Sequence, residues 1–220
     1  RIMLANFATI RMRDKNILDL GCGNGVIPLI LSLRTDKKIV GVELQKKLAN
    51  MAIKSVKYNG LESQIEILNI NMKDYVNIET MEKYDLITCN PPYFKVNEEN
   101  YFNLSLEKVI ARHEVEITLD DVFCISKKLL KNNGNFVIVH RPVRLMEIFD
   151  LFRKNKIEPK RLQFVYEKLS KESTLVLIEG QKGGNTGLKI EKPFILYNED
   201  GSMTKEYDFL CKEVIKNASK

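Results

Sequence analysis

The most constraining feature of the chain is Asp19-Leu-Gly-Cys-Gly-Asn-Gly25, which follows a strand-like run at 16–20 and opens a helical run at 26–34. Gly21, Gly23 and Gly25 let the backbone take positive φ and let a ligand approach it closely. The spacing G-x-G-x-G differs from the dinucleotide pattern G-x-G-x-x-G and provides less for a pyrophosphate on the helix N-terminus. Asp19 is a second departure, since a carboxylate there repels phosphate and attracts an amino-bearing group. Glu43 ends the next strand, about twenty residues on, where its two oxygens can accept from both hydroxyls of a ribose. Together these residues describe a pocket for a nucleoside that carries an amino acid. The plainer alternative is a tight turn in which Glu43 caps a helix.

The surrounding pattern sets the fold class. Strand-like runs at 16–20, 39–42, 65–68, 85–89 and 135–139 are separated by helical patterns at 26–34, 45–58 and 118–130. Leu48, Ala52 and Val56 form one apolar stripe, and Asn59-Gly60 stops that helix, as Asn133-Gly134 marks the junction before the fifth strand. Strands separated by helices pair in parallel through right-handed crossovers. The expectation is an α/β, doubly wound, seven-stranded and mostly parallel sheet. Beyond it come a helix at 145–154, extended runs at 161–166 and 173–178 forming a terminal antiparallel pair, a loop at 180–185, a turn at 198–201 and a closing helix at 206–216. No domain boundary interrupts residues 1–220, so a single domain is expected.

With 44% hydrophobic and 29% charged residues, the 220-residue chain can bury a core and cover it with charge, which excludes wholesale disorder. No apolar run approaches the roughly 18 residues of a membrane span. The apolar start at 2–10 runs into Arg11, Arg13 and Lys15 without a small-residue cleavage site, so a cytoplasmic location is expected. Cys22, Cys89, Cys124 and Cys211 are too scattered for metal-ligand spacing and read as reduced structural thiols, with no metal site. The net charge of +6 permits a polyanionic partner, and most of the surplus lies at 141–171, where nine cations face four acids. A solvated helix face is the alternative reading of that stretch.

After the fourth strand stands Asn90-Pro-Pro-Tyr93, at the carboxyl end where open α/β sheets keep their ligand crevice. Pro91 and Pro92 fix the backbone around Asn90 before a substrate arrives. An exocyclic amine on adenine is a poor nucleophile because its lone pair is delocalised into the ring. If the Asn90 side-chain oxygen and the Pro91 carbonyl each accept one amino hydrogen, the nitrogen is oriented and drawn towards tetrahedral geometry. Tyr93 offers a face for stacking a planar base, worth roughly 1–3 kcal/mol, and Phe94 can do likewise. The tetrapeptide suits planar amines in general, including a glutamine carboxamide. A turn with a core tyrosine is the alternative.

The glycine loop and Glu43 resemble the first motif and the ribose acid of class I methyltransferases, with their Rossmann-like fold. That resemblance implies S-adenosylmethionine as the cofactor and implies that Asp74, in Asn71-Met-Lys-Asp74, holds its adenine amino group; without it, Asp74 is equally a solvated turn residue. Beyond this core the chain resembles the bacterial family that N6-methylates adenosine 37 of a valine tRNA. The resemblance rests on Leu4-Ala-Asn-Phe7, Ala111-Arg-His-Glu114, His140-Arg-Pro-Val-Arg-Leu145, Glu179-Gly-Gln-Lys-Gly-Gly184 and Lys192-Pro-Phe-Ile-Leu-Tyr197. It implies that 4–7, Asn6 included, edges the cofactor pocket, and that Arg112 and His113 lie near an extruded base beside Tyr93 and Phe94. Arg112 and His113 have an alternative as charge partners of Glu114 and Glu116. Arg141, Arg144 and Lys182 become phosphate contacts under the same resemblance, with tRNA as partner and neither a membrane nor an obligate protein partner. Members of the family carry a further segment before this start, which the reading expects to be absent. Glutamine methylation on a protein, another RNA amine, or cofactor binding without catalysis are the competing functions. Basic charge and the want of an N-terminal helical substrate domain disfavour the first, and the intact tetrapeptide disfavours the last.

Overall fold

The computed structural model describes residues 1–91 and 117–218, with side chains through Lys212. Its elements run α1 (Ile2–Phe7), β1 (Asn16–Leu20), α2 (Val26–Ser32), β2 (Lys38–Glu43), α3 (Lys46–Tyr58), β3 (Ile65–Asn69), α4 (Met72–Ile78) and β4 (Tyr84–Cys89). Then follow α5 (Leu119–Leu129), β5 (Leu130–His140), a 3-10 turn (Pro142–Arg144), α6 (Leu145–Lys154), β6 (Ile157–Tyr166), β7 (Ser173–Lys182), β8 (Lys189–Ile190), β9 (Phe194–Ile195) and α7 (Lys205–Ala218).

The strands form one sheet in the order β3-β2-β1-β4-β5-β7-β6-β8, with β9 also on β6. β3 to β5 are mutually parallel along that order, and β7 alone runs antiparallel, between β5 and β6. The expected doubly wound sheet is therefore present with its seven long strands, and the two-residue β8 and β9 extend it. Central parallel strands are covered on both faces, which explains why Ile17 to Leu20 are all buried. Alternation divides the side chains: Ile17, Ile39, Leu86, Val137 and Leu177 join the layer under α1, α2 and α7, while Leu18, Val40, Ile87, Phe136 and Ile178 join that under α4, α5 and α6.

Local chemistry sets the element ends. The Thr118 hydroxyl accepts from the Asp121 amide at 3.1 Å while the Asp121 carboxylate accepts from the Thr118 amide at 2.9 Å, a reciprocal cap on α5. In α3 the buried stripe is Ala49, Ala52 and Val56, with Leu48 half-buried beside it. Phe123, Phe136 and Phe152 pack edge-on with centroids 4.8 and 5.1 Å apart, locking α5 and α6 onto β5.

Several expectations change, among them the start of β6, at Ile157 rather than 161. Asn133-Gly134 lies inside β5 at a shift of register with β4, Asn133 taking φ 62°, so the strand starts earlier than 135. β7 continues to Lys182, because its ladder with β5 and β6 persists through Gln181 and Lys182, so the loop begins later than 180. The apolar start forms α1, whose last carbonyls are held by the Arg34 guanidinium on Ala5 and, at 3.0 Å, on Ala8. Among the described residues no helix is long and apolar enough to cross a membrane.

Candidate active site

The order β3-β2-β1-β4 reverses direction between β1 and β4, and the carboxyl ends of these two strands form the crevice where α/β sheets bind ligands. Register brings the candidate residues there. Asp19 pairs with Thr88 and Leu20 with Cys89, so the next step along both chains sets Gly21 beside Asn90. On the other side Leu20 pairs with Val42, and the amides of Gly21 and Cys22 both donate to the Val42 carbonyl, at 2.9 and 3.0 Å. Glu43 thus meets the glycine loop directly.

Gly21, Gly23 and Gly25 have φ of 70°, 59° and 84°. At Gly25 a side chain faces a second obstacle, since a Cβ would lie 2.9 Å from Ala52 Cβ, where α3 crosses the start of α2. Gly25→Ala is expected to cost about 2–3 kcal/mol from positive φ and this clash together, lowering Tm by roughly 5–10 °C. A melt within about 1 °C of wild type would contradict that account.

Asp19 is fully buried, with the Thr88 hydroxyl donating to Oδ1 at 2.7 Å. Its Oδ2 has no hydrogen-bond partner among the described residues. Burial pushes its carboxyl up to about 7, opposed by the Thr88 hydrogen bond and reinforced by nearby Glu43. A buried acceptor without a donor is expensive unless a ligand supplies one, and an ammonium group matches both the lone oxygen and the charge. Glu43 is 7% exposed and accepts the Gly23 amide on Oε2 and the Gln45 amide on Oε1, each at 2.8 Å. Each oxygen keeps a further lone pair, so ribose hydroxyls remain acceptable to it. This set of acceptors therefore fits a nucleoside bearing an amino acid.

Asp74 is exposed in the first turn of α4, which Asn71 caps by accepting the Lys73 amide at 2.9 Å. This turn follows β3, on the same edge of the sheet. Asn6 lies on α1 and its amide nitrogen donates to the Ile2 carbonyl at 2.9 Å, which leaves its oxygen to offer. The amino end of α1 reaches the loop, where Arg1 donates to the Asn24 side chain at 3.0 Å. Asn90 is half-buried and Pro91 buried at the end of β4. Pro92, Tyr93, Phe94, Arg112 and His113 lie outside the described residues.

Thr88 and Met72 escaped the sequence reading. Met72 Cε would stand 3.9 Å from a Cβ at Gly21, closing the loop from the α4 side. No local signal marks either residue, because each acquires its role from register and from a neighbouring strand. Burial also pushes the Cys22 and Cys89 thiols upward, and all four cysteines are free.

Of the expected phosphate contacts, Arg141 and Arg144 follow β5 on the crevice edge of the sheet. Arg141 borders an open cleft of about 600 Å³ with Tyr166 and Ser173. Arg144 is engaged by Glu147, its Nε donating to Oε2 at 2.8 Å. Lys182 requires correction. It lies at the opposite edge, where β7 ends, and its ammonium is spent on the carbonyls of Lys127 and Leu130, both at 2.8 Å, and on Glu82 at 2.9 Å. It ties the foot of the sheet together and does not meet the crevice.

Comparison with known proteins agrees with this geometry. Residues 1–157 match the family model described as the methyltransferase small domain. The tRNA1(Val) (adenine(37)-N6)-methyltransferase of Aliivibrio salmonicida is 26% identical over 179 residues, covering 81% of this chain and 74% of that one. The protein of the same name from Actinobacillus pleuropneumoniae serotype 7 is 24% identical over 218 residues, covering 98% and 88%. A solved protein described as a predicted O-methyltransferase, from Agrobacterium tumefaciens, superposes with a TM-score of 0.75 at 18% identity, over 97% of this chain and 96% of that one, a likeness of fold.

Proposed function

Because the chain belongs to the methyltransferase small-domain family, we propose that it methylates N6 of an adenine in tRNA, adenosine 37 of a valine tRNA, with S-adenosylmethionine as donor. The observation that carries this reading is the placement of Asn90 and Pro91 beside the glycine loop, one step beyond the β1–β4 ladder. The named relatives support the choice of substrate. A tRNA substrate implies work in the cytoplasm.

When bound, S-adenosylmethionine supplies an electrophilic methyl carbon on a sulfonium. Asp19 Oδ2 and the oxygens of Glu43 are the chain's acceptors for its amino and ribose groups, with Asp74 and Asn6 flanking them. Asn90 and Pro91 act on the other reactant. The side-chain oxygen of one and the carbonyl of the other accept the two amine hydrogens, which turns the nitrogen lone pair out of conjugation. Once the nitrogen is cationic its proton is acidic, so these oxygens or water suffice to take it. Tyr93 and Phe94 supply stacking faces for the extruded base, whose release from an anticodon loop costs little.

The test uses radiolabelled S-adenosylmethionine with an unmodified valine tRNA transcript. Label is expected in N6-methyladenosine, and replacing adenosine 37 by guanosine should remove it. Label that survives that replacement, or equal transfer to the glutamine of a release factor, would overturn the assignment.

A further inference from the structure

The cation surplus at 141–171 is partly paired within the fold. Arg144 pairs with Glu147, Lys154 with Asp120, Arg161 with Glu179 and Glu191, and Lys171 with Glu167. Lys160 and Lys168 donate to the carbonyls of Asn185 and Glu199, both at 2.9 Å. Helix α3 is the reverse case. Lys46, Lys47, Lys54 and Lys57 are all exposed, none of their ammonium groups has an ion-pair or hydrogen-bond partner among the described residues, and the helix contains no acid.

This is a poor arrangement for an ordinary solvated face. Such helices place Glu or Asp three or four residues from Lys, whereas here Lys54 and Lys57 are like charges at that spacing. Lys46 and Lys47 also stand in the first turn, where the helix dipole opposes cations. At 100° per residue, Lys46, Lys47, Asn50, Lys54, Lys57 and Tyr58 fall within about 120° of the circumference, away from the buried Ala49, Ala52 and Val56. Tyr58 closes the stripe at 92% exposure, an aromatic face in water. The stripe begins three residues after Glu43, at the crevice, and Lys57 lies about 16 Å further along the axis. A small anion would use one end of it. A phosphodiester chain would use all of it, with Tyr58 stacking an unpaired base.

We propose that this face of α3 binds the phosphate backbone of the RNA substrate, extending its grip beyond the crevice; the inference rests on the tRNA reading above. The lysine ammonium groups then replace condensed counterions, so RNA affinity depends steeply on salt through these residues.

The experiment compares wild type with the triple variant Lys47→Gln, Lys54→Gln and Lys57→Gln, which leaves Lys46 beside the crevice untouched and retains helix propensity. A control triple changes Lys37, Lys189 and Lys212 to Gln, lysines paired with Asp36, Glu191 and Asp208. Binding of the valine tRNA transcript is measured from about 50 to 300 mM salt. The slope of log Kd against log salt is expected to fall by about 2–3 in the α3 variant, with Kd raised about tenfold or more near 100 mM. KM for tRNA should rise with kcat and S-adenosylmethionine affinity unchanged, and the control should stay within about twofold of wild type. An unchanged slope in the α3 variant overturns the proposal while tRNA methylation by the wild type leaves the functional reading standing. So does a loss confined to binding of vesicles of acidic lipid, which would make the stripe a membrane contact. If the wild type neither binds nor methylates tRNA, both readings fall.

Discussion

Asn90→Ala is expected to reduce methyl transfer by about 10²–10³-fold, the usual effect of deleting one preorganised polar partner of a reacting group. The loss should fall on kcat, since the side chain's main work is to orient the amine in the transition state. Asn90 is half-buried, directly after the buried Cys89 and before a buried proline, so a thermal melt of the variant is measured beside its activity to separate a loss of fold from a loss of catalysis. S-adenosylmethionine binding, read by calorimetry, should stay within about fivefold of wild type. Asn90→Asp keeps an acceptor oxygen and should retain measurable turnover. Full activity in Asn90→Ala would remove the oxygen pair from the mechanism.

Asp19→Asn should separate stability from binding in the same molecule. The carboxyl titrates near 7 in the fold, against 3.8 as its ordinary value, chiefly because burial penalises the charge. The folded chain therefore keeps a proton that the unfolded chain releases between about pH 4 and 7. Any stability Asp19 contributes as a neutral acid is complete below its unfolded pKa and is lost as pH rises through the folded one. Three pH units correspond to roughly 4 kcal/mol, an upper figure because buried sites relax. The Asn variant does not titrate and keeps an oxygen for the Thr88 hydroxyl. Without cofactor it is expected to be more stable than wild type at pH 8, by up to a few kcal/mol in urea, with the gap closing towards pH 4. Its affinity for S-adenosylmethionine should fall by about 10²-fold, because the charged acceptor for the amino group is gone. A variant that is less stable than wild type at pH 8 would show that Asp19 is not held at a cost.

Short β-branched runs and turn residues mark β1 to β4 and helices α2, α3, α5 and α6 within a few residues, because periodicity and turn chemistry are local, while Asn133-Gly134 misplaces the start of β5. The short α1 and α4 were less visible. Six or seven residues give too few turns for a period, so nothing local marks Asp74 as lying in the first turn of a helix. Glu43 and the glycine loop were legible because their spacing follows from one β-α-β unit. The Thr88 contact to Asp19 was not, since it joins residues 69 apart through a register fixed only on folding. The same limit explains Lys182 and the stretch at 141–171. Counting charges along a chain cannot reveal which ones a fold pairs, and Asp120, Glu179 and Glu191 lie outside that stretch.

Among the described strands β6 reaches the sheet only through β7, since β8 and β9 pair with β6 alone. Without β7, β5 would be an edge strand, paired with β4 on one side and with the backbone groups of 135–140 unpaired on the other. The ten residues Ser173–Lys182 therefore cover two open ladders at once, that of β5 and that of β6.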